Sequence, residues 1–312
     1  MDKNNWYLLT VFCFLLNVFF AQSQNELNWE IRTDFRDFLP SSIKIFETFS
    51  TLSDGEALHA VYAEVDSKDS NIELCTEFVG HGNAYKTPLE FANDEKTLDY
   101  VTVNGGYFSD TQSVSLIIKD GRLQTPGAFV VHGGKYPTRG AFGVDNTGKP
   151  AIKWTYNFKG DSLTYSYPEP RENLNKEPIK IEETEAEVWK VTSAIGAGPV
   201  LAVNAQPKVY AEEEHIHASL LEAKEPRTAI GYTKDDKVIL LVVDGRQPGF
   251  SNGISLPGLA KIMVDLGCVR ALNLDGGGSS AMVAADTLIN CPSNKGNAQR
   301  PVPSVFMVKR KK

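Results

Sequence analysis

Four times along this 312-residue chain an apolar run ends in a Gly-rich polar cluster. The clusters read VTVNGGYF at 101–108, AIGAGPVL at 194–201, VVDGRQPGFSNG at 242–253 and NLDGGGSSAMV at 273–283. Each apolar run reads as a strand, and each glycine cluster lets the backbone turn sharply where that strand ends. Polar side chains at such turns stand on the rim of a rigid sheet, a common place to build a site. One such turn explains itself locally. Four of them, carrying carboxylates, amides and hydroxyls, predict a single cleft.

The elements between these clusters are mostly short strands. Residues 58–65 and 71–78 read as a hairpin turning through Asp66-Ser67-Lys68-Asp69. Residues 113–119 lead into the turn dipeptide Asp120-Gly121, and 141–144 and 151–156 flank Asp145-Asn146-Thr147-Gly148, so this region reads as a meander. Residues 27–49 read as an edge strand or wrapping segment. Pro88 and the spacing of Leu89, Phe91 and Ala92 predict a short helix over 87–98. Leu259, Ile262, Met263 and Leu266 make one stripe of a stronger helix over 256–266, begun by Ser255 or Asn252 and stopped by Gly267. Residues 161–187, rich in Pro, Glu, Asn and Ser, read as a surface excursion over the cleft. Strands outnumber helices and connections are of hairpin length. That predicts an α+β fold with mixed or antiparallel sheets, built as one domain over 24–312: N-terminal strands and a wrapping segment at 24–100, then a motif-bearing core at 101–308.

Residues 6–20 are strongly apolar and follow Lys3, and Ala21-Gln22-Ser23 offers small residues for cleavage. This predicts a signal peptide over 1–23 and export to a periplasmic or extracellular space. No other stretch is apolar and long enough for a membrane-spanning helix. The net charge of −7 argues against a nucleic-acid groove. Cys75, Cys268 and Cys291 remain after the leader, an odd number that leaves at least one free thiol. Cys268, set among apolar residues, is the first candidate.

Asp244 ends the run VILLVV and Asp275 ends ALNL. Two carboxylates at the ends of buried strands suit acid/base chemistry, since burial or mutual repulsion separates their pKa values. Each could equally cap its own turn, as Asp before Gly does. Gly276, Gly277 and Gly278 can expose amide N–H groups to an anion, with Ser279 adding a hydroxyl. Arg227 and Arg246 have the fork that grips phosphate, although Arg227 could simply pair with a carboxylate. Asn104 could orient a sugar hydroxyl, and Tyr107 or Phe108 could floor a sugar subsite. No Gly-x-Gly-x-x-Gly opens a long helix and no Gly-Lys-Ser/Thr follows the glycines, so neither nucleotide loop is present. Ser251 and Ser279 lack a nucleophile elbow.

Taken in order, NGGYF, GAGPVL, the RTAIGY–VVDGR pair, the stretch from SNGISLPGLAKIMVDLGC to NLDGGGSSAMV, and Arg300 before Val302 resemble the phosphodiester glycosidase family over residues 101–308. The resemblance implies hydrolysis of a sugar-1-phosphodiester at the glycosyl carbon, releasing sugar and a phosphomonoester. The substrate would be a phosphorylated glycan or a nucleotide-sugar-like small molecule. It carries functional roles to Asp244, Arg246, Asn273, Asp275 and Ser279, and to Arg227 and Asn104. The chain departs from the family at Gly258, where relatives often place an acid before Leu-Ala. No cofactor is expected, with a divalent ion between the two aspartates left open. The contrasting readings are an envelope phosphodiesterase attacking phosphorus and a non-catalytic phosphoglycan-binding protein.

Overall fold

The structure, a computed structural model, describes residues 27–94, 99–110, 112–127, 136–171 and 185–311. The expected leader at 1–23 and much of the 161–187 excursion lie outside them. The described strands form three sheets, and every recorded strand pair is antiparallel. The eight-stranded sheet runs Glu30–Ile31, Ile43–Thr51, Ala57–Asp66, Lys237–Val243, Arg227–Thr233, Cys268–Asn273, Val200–Val203, Gln206–Pro207. The seven-stranded sheet runs Glu187–Val188, Tyr165–Tyr167, Pro150–Tyr156, Arg139–Val144, Ser193–Gly196, Ile117–Lys119, Arg122–Thr125. The five-stranded sheet runs Thr287–Leu288, Met282–Ala284, Asp99–Asn104, Ser304–Arg310, Ile72–Phe78.

The unbroken apolar run of Lys237–Val243 is explained by cover on both faces. Val238, Leu240 and Val242 join a core shared with the other two sheets, together with Phe142, Ile195 and Phe306. Ile239, Leu241 and Val243 join a second core under the helix Leu256–Asp265, with Leu259, Ile262 and Met263. Each such side chain contributes roughly 1.5–3 kcal/mol on leaving water, so the strand that carries Asp244 is firmly anchored. The helix begins where Ser255 accepts the Gly258 N–H (3.3 Å), and it stops before Gly267 at φ +88°. A Cβ at Gly258 would come within 2.7 Å of Ile254, so the helix start packs closely at this position.

Several expectations need correction. Ala57–Asp66 and Ile72–Phe78 are not a hairpin: the first pairs with Ile43–Thr51 and Lys237–Val243, the second with Ser304–Arg310 in a different sheet. The turn between them carries the chain from sheet to sheet, which a local turn signal does not reveal. The helix expected over 87–98 is only Pro88–Ala92, closed by a capping box between Thr87 and Glu90. The 161–187 excursion contains the buried strand Tyr165–Tyr167, whose apolar content is aromatic and not aliphatic. The meander is also interrupted, because Ser193–Gly196 inserts between Ile117–Lys119 and Arg139–Val144. Among the described residues no helix is long and apolar enough to cross a membrane. Cys75, Cys268 and Cys291 are all free, the first two buried, and burial pushes the Cys75 thiol up to about 12.

Candidate active site

Sheet order brings the motif residues together. Lys237–Val243 and Cys268–Asn273 flank Arg227–Thr233 and are both antiparallel to it. They therefore run in the same direction, so Asp244 and Asp275, just past their C-terminal ends, emerge where Arg227 begins. Arg227 is in register with Val243, and Ala229 with Asn273. Two strand spacings put the backbones of the two aspartates about 10 Å apart. The five-stranded sheet reaches the same place through Asn104. Its Nδ2 donates to the Asp275 carbonyl (2.7 Å), and its Oδ1 accepts from Thr228 Oγ1 (2.7 Å) and the Ala281 N–H (3.2 Å). The Asp275 N–H donates to the Gly105 carbonyl at 3.1 Å. Asn104 is thus a clamp joining two sheets at the Asp275 turn.

The two Asp-Gly turns meet at Pro226. The Gly277 N–H donates to the Pro226 carbonyl (2.8 Å), and a Cβ at Gly276 would come within 2.8 Å of that oxygen. A Cβ at Gly245 would lie 2.7 Å from the Pro226 nitrogen. Gly277 has φ +60°, which favours glycine. Its amide, expected in an anion cradle, is therefore engaged inside the protein. The Ser279 and Ser280 amides turn back to the carbonyls of Gly276 and Gly277, each at 3.2 Å.

Asp244 is 1% exposed and saturated with donors. Oδ1 accepts from Asn290 Nδ2 (2.7 Å); Oδ2 accepts from the Cys291 N–H (2.9 Å) and meets His59 Nδ1 at 2.6 Å. The other ring nitrogen of His59 meets Glu47 Oε1 at 2.9 Å, and the ring packs against both Phe49 and Phe250. Burial disfavours a charge on His59, but the hydrogen bonds and charges of Asp244 and Glu47 outweigh it and hold its pKa above the ordinary histidine value. The sequence reading missed His59 and Asn290, which lie outside every motif.

Asp275 differs. It is half-buried, and withdrawal from water pushes its pKa up to about 6. The neighbouring Ser279 hydroxyl, Gly276 amide and Arg300 charge oppose that rise. The Ser279 contact is a close approach and not a formed bond: Ser279 Oγ, Ser280 Oγ and Asn273 Oδ1 are buried without a hydrogen-bond partner among the described residues. The Asn273 amide group donates to Tyr107 Oη (2.9 Å) and to the carbonyls of Gly198 and Leu274 (2.8 Å each). Tyr107 Oη in turn donates to the Gly198 carbonyl at 2.6 Å. Tyr107 is thus a half-buried link between the NGGYF, GAGPVL and NLDGGGSS motifs. Arg300 lies over the Phe108 ring, 4.9 Å from its centre.

The two expected arginines are both engaged. Arg227 is 6% exposed; its Nε donates to the Ile254 carbonyl (3.1 Å) and its Nη2 to those of Leu220 (3.0 Å) and Ala223 (2.8 Å). No carboxylate pairs with it among the described residues, and burial lowers its pKa. Arg246, in the left-handed region at φ 59°, pairs through Nε with Glu225 at 2.5 Å, and its guanidinium lies against Gly277.

Comparison with known proteins bears on the family and the fold. The family model described as phosphodiester glycosidase matches residues 99–309. N-acetylglucosamine-1-phosphodiester alpha-N-acetylglucosaminidase of Bos taurus is 40% identical over 68 residues, 22% of this chain and 12% of the relative. An uncharacterised prophage-derived protein of Bacillus subtilis is 39% identical over 70 residues, 22% of this chain and 11% of the relative. These stretches span only a small part of the curated relatives' lengths. The zebrafish N-acetylglucosamine-1-phosphodiester alpha-N-acetylglucosaminidase catalytic domain, auto-inhibited by its pro-peptide, superposes with a TM-score of 0.63 at 21% identity, over 91% of this chain and 88% of that one. A hypothetical protein from Synechocystis gives 0.67 at 15% identity, over 92% of this chain and 64% of that one. The structural likenesses establish the fold. With the family model covering more than half of its length, the chain belongs to the phosphodiester glycosidase family.

Proposed function

We propose that this protein hydrolyses a sugar-1-phosphodiester at the glycosyl carbon, with the four Gly-rich turns framing one cleft and Asp275 as its reacting carboxylate. The observation that carries this reading is the state of Asp275: half-buried, raised to about 6, and beside the Ser279 hydroxyl, which like Ser280 Oγ and Asn273 Oδ1 of the same motif is buried without a hydrogen-bond partner among the described residues. An unpaired buried polar atom costs about 1–3 kcal/mol, and a bound polyol is one way to satisfy several at once. A carboxyl with a pKa near 6 is largely ionised at neutral pH yet more basic than an ordinary aspartate, which suits proton abstraction from water.

In this reading water attacks the anomeric carbon and passes a proton to Asp275. The bond from that carbon to the phosphate oxygen breaks, and its electron pair leaves with the phosphomonoester. The leaving group is already an anion, so it needs charge stabilisation more than a proton donor. Arg300, whose charge acts on Asp275, and Arg227 and Arg246 at the neighbouring turns are the cationic groups at this end of the sheet. Asp244, closed off by its donors, acts by positioning the Asp-Gly-Arg turn. The substrate class is a phosphorylated glycan or nucleotide-sugar-like molecule. The test is hydrolysis of a UDP-sugar and a simple sugar-1-phosphodiester in ¹⁸O-water. Label in the released sugar is expected. Label in the phosphate would assign attack at phosphorus, and binding without turnover would reduce the protein to a phosphoglycan binder.

A further inference from the structure

We propose that a small cavity beside Tyr107 is an anion site, with Arg139 as its cation, and that it receives the phosphate of the substrate. The second half of this statement rests on the reaction proposed above; the first does not. Arg139 opens the strand Arg139–Val144 of the seven-stranded sheet and was not singled out by any motif. Its side chain differs from those of the two arginines expected to hold phosphate. Arg227 is tied to three carbonyls and Arg246 to a carboxylate. Among the described residues no hydrogen bond or ion pair is formed by the Arg139 guanidinium. A guanidinium carries five N–H donors in a planar fork. In a half-buried setting such donors call for an acceptor, and burial already weighs against the charge.

The space beside it suits such an acceptor. Arg139, Tyr107, Ser115, Thr155 and Gly196 line a cavity of about 70 Å³. A single water needs roughly 10–15 Å³ by this measure, so the cavity has room for a phosphate group. The wall beside it is tightly packed: a Cβ at Gly106 would come within 2.7 Å of the Ser115 hydroxyl, and one at Gly196, which lines the cavity, within 2.8 Å of Leu116. The carboxylate whose charge acts on Arg139, Glu214, is fully buried. Its oxygens are held by Trp154 Nε1 (3.0 Å), the Val200 N–H (2.8 Å) and the Gly140 N–H (3.1 Å). The cavity adjoins the candidate active site through Tyr107, whose hydroxyl is bonded to Asn273 and which feels the charges of Asp275, Arg227 and Arg139 together.

Inorganic phosphate is the probe. Calorimetric titration of the full chain near neutral pH should show phosphate binding to the wild type. Arg139→Met should weaken it about 10- to 100-fold, the loss of a charge-assisted contact. Arg139→Lys should fall between, keeping charge but not the fork. Phosphate-soaked crystals of the wild type should show the anion on Arg139, which decides the matter even if Arg139→Met fails to fold. No binding by the wild type, unchanged affinity in either variant, or an anion seated elsewhere would overturn the proposal. Arg139-dependent phosphate binding in a protein that turns over no sugar-1-phosphodiester would leave the anion site standing and remove the reaction. Turnover at the glycosyl carbon with Arg139-independent phosphate binding would do the reverse.

Discussion

Asp244 and Asp275 follow the same local pattern, an apolar strand running into Asp-Gly, and they emerge at the same end of the same sheet. Their surroundings are opposite. Asp244 is closed from solvent and its carboxylate is met by a histidine, an asparagine and a backbone amide. Asp275 is half-buried, lies beside the Ser279 hydroxyl, which has no hydrogen-bond partner among the described residues, and is pushed up to about 6 by burial. A carboxylate given donors becomes a structural anchor; one given burial without enough donors keeps basicity for chemistry. Three measurements test this division of labour.

The largest effect is expected for Asp275→Asn. Turnover should drop at least ~100-fold while the protein stays folded. Stability should move the other way. A carboxyl whose folded pKa (about 6) lies above its unfolded value favours the folded state most below the unfolded pKa, and that contribution is lost as pH rises through about 6. At neutral pH the Asn variant should therefore be the more stable protein, by no more than about 3 kcal/mol, and the gain should vanish below about pH 4. Near-normal turnover, or lower stability at neutral pH, would break the contrast from the Asp275 side.

Asp244→Asn should behave in the opposite sense. It leaves His59 and the Cys291 N–H facing an amide, and breaking a buried pair costs about 3–5 kcal/mol. His59 has a folded pKa above its unfolded value, so its stabilisation is full at acid pH and is lost as pH rises through that elevated pKa. Urea unfolding of the wild type across neutral to alkaline pH should show this decline, and the Asn variant should flatten it. A variant that unfolds like the wild type with the same pH slope would deny Asp244 its anchoring role.

The smallest effect is expected at the half-exposed rim. Glu225→Gln removes the partner of Arg246, whose side chain is 51% exposed, and should cost less than ~1 kcal/mol in thermal unfolding. A loss above ~2 kcal/mol would mean that Arg246 is held far more tightly than an exposed ion pair allows.

Much of this was legible in the chain. The long helix, its Ser255 cap and its Gly267 stop follow from a 3.6-residue stripe and local capping chemistry. The Asp120-Gly121 and 145–148 turns pair the strands beside them as expected, because hairpin contacts are local. That Asn104, Asp244 and Asp275 stand at strand ends was likewise readable, from apolar runs that stop at glycines.

The sequence by itself determined where the motif-bearing strands end, and that glycine suits the turns that take φ above zero. These properties depend on neighbours a few residues away. Only the tertiary structure decided which sheet Ile72–Phe78 joins, that Asn104 clamps Thr228 and Asp275 from another sheet, and that Arg139 rather than Arg227 keeps its donors unengaged among the described residues. It also decided which of two like aspartates is saturated and which is left basic. Desolvation and hydrogen bonding are set by atoms from strands far apart in the chain, such as His59 against Asp244, and no local pattern records which of them will meet.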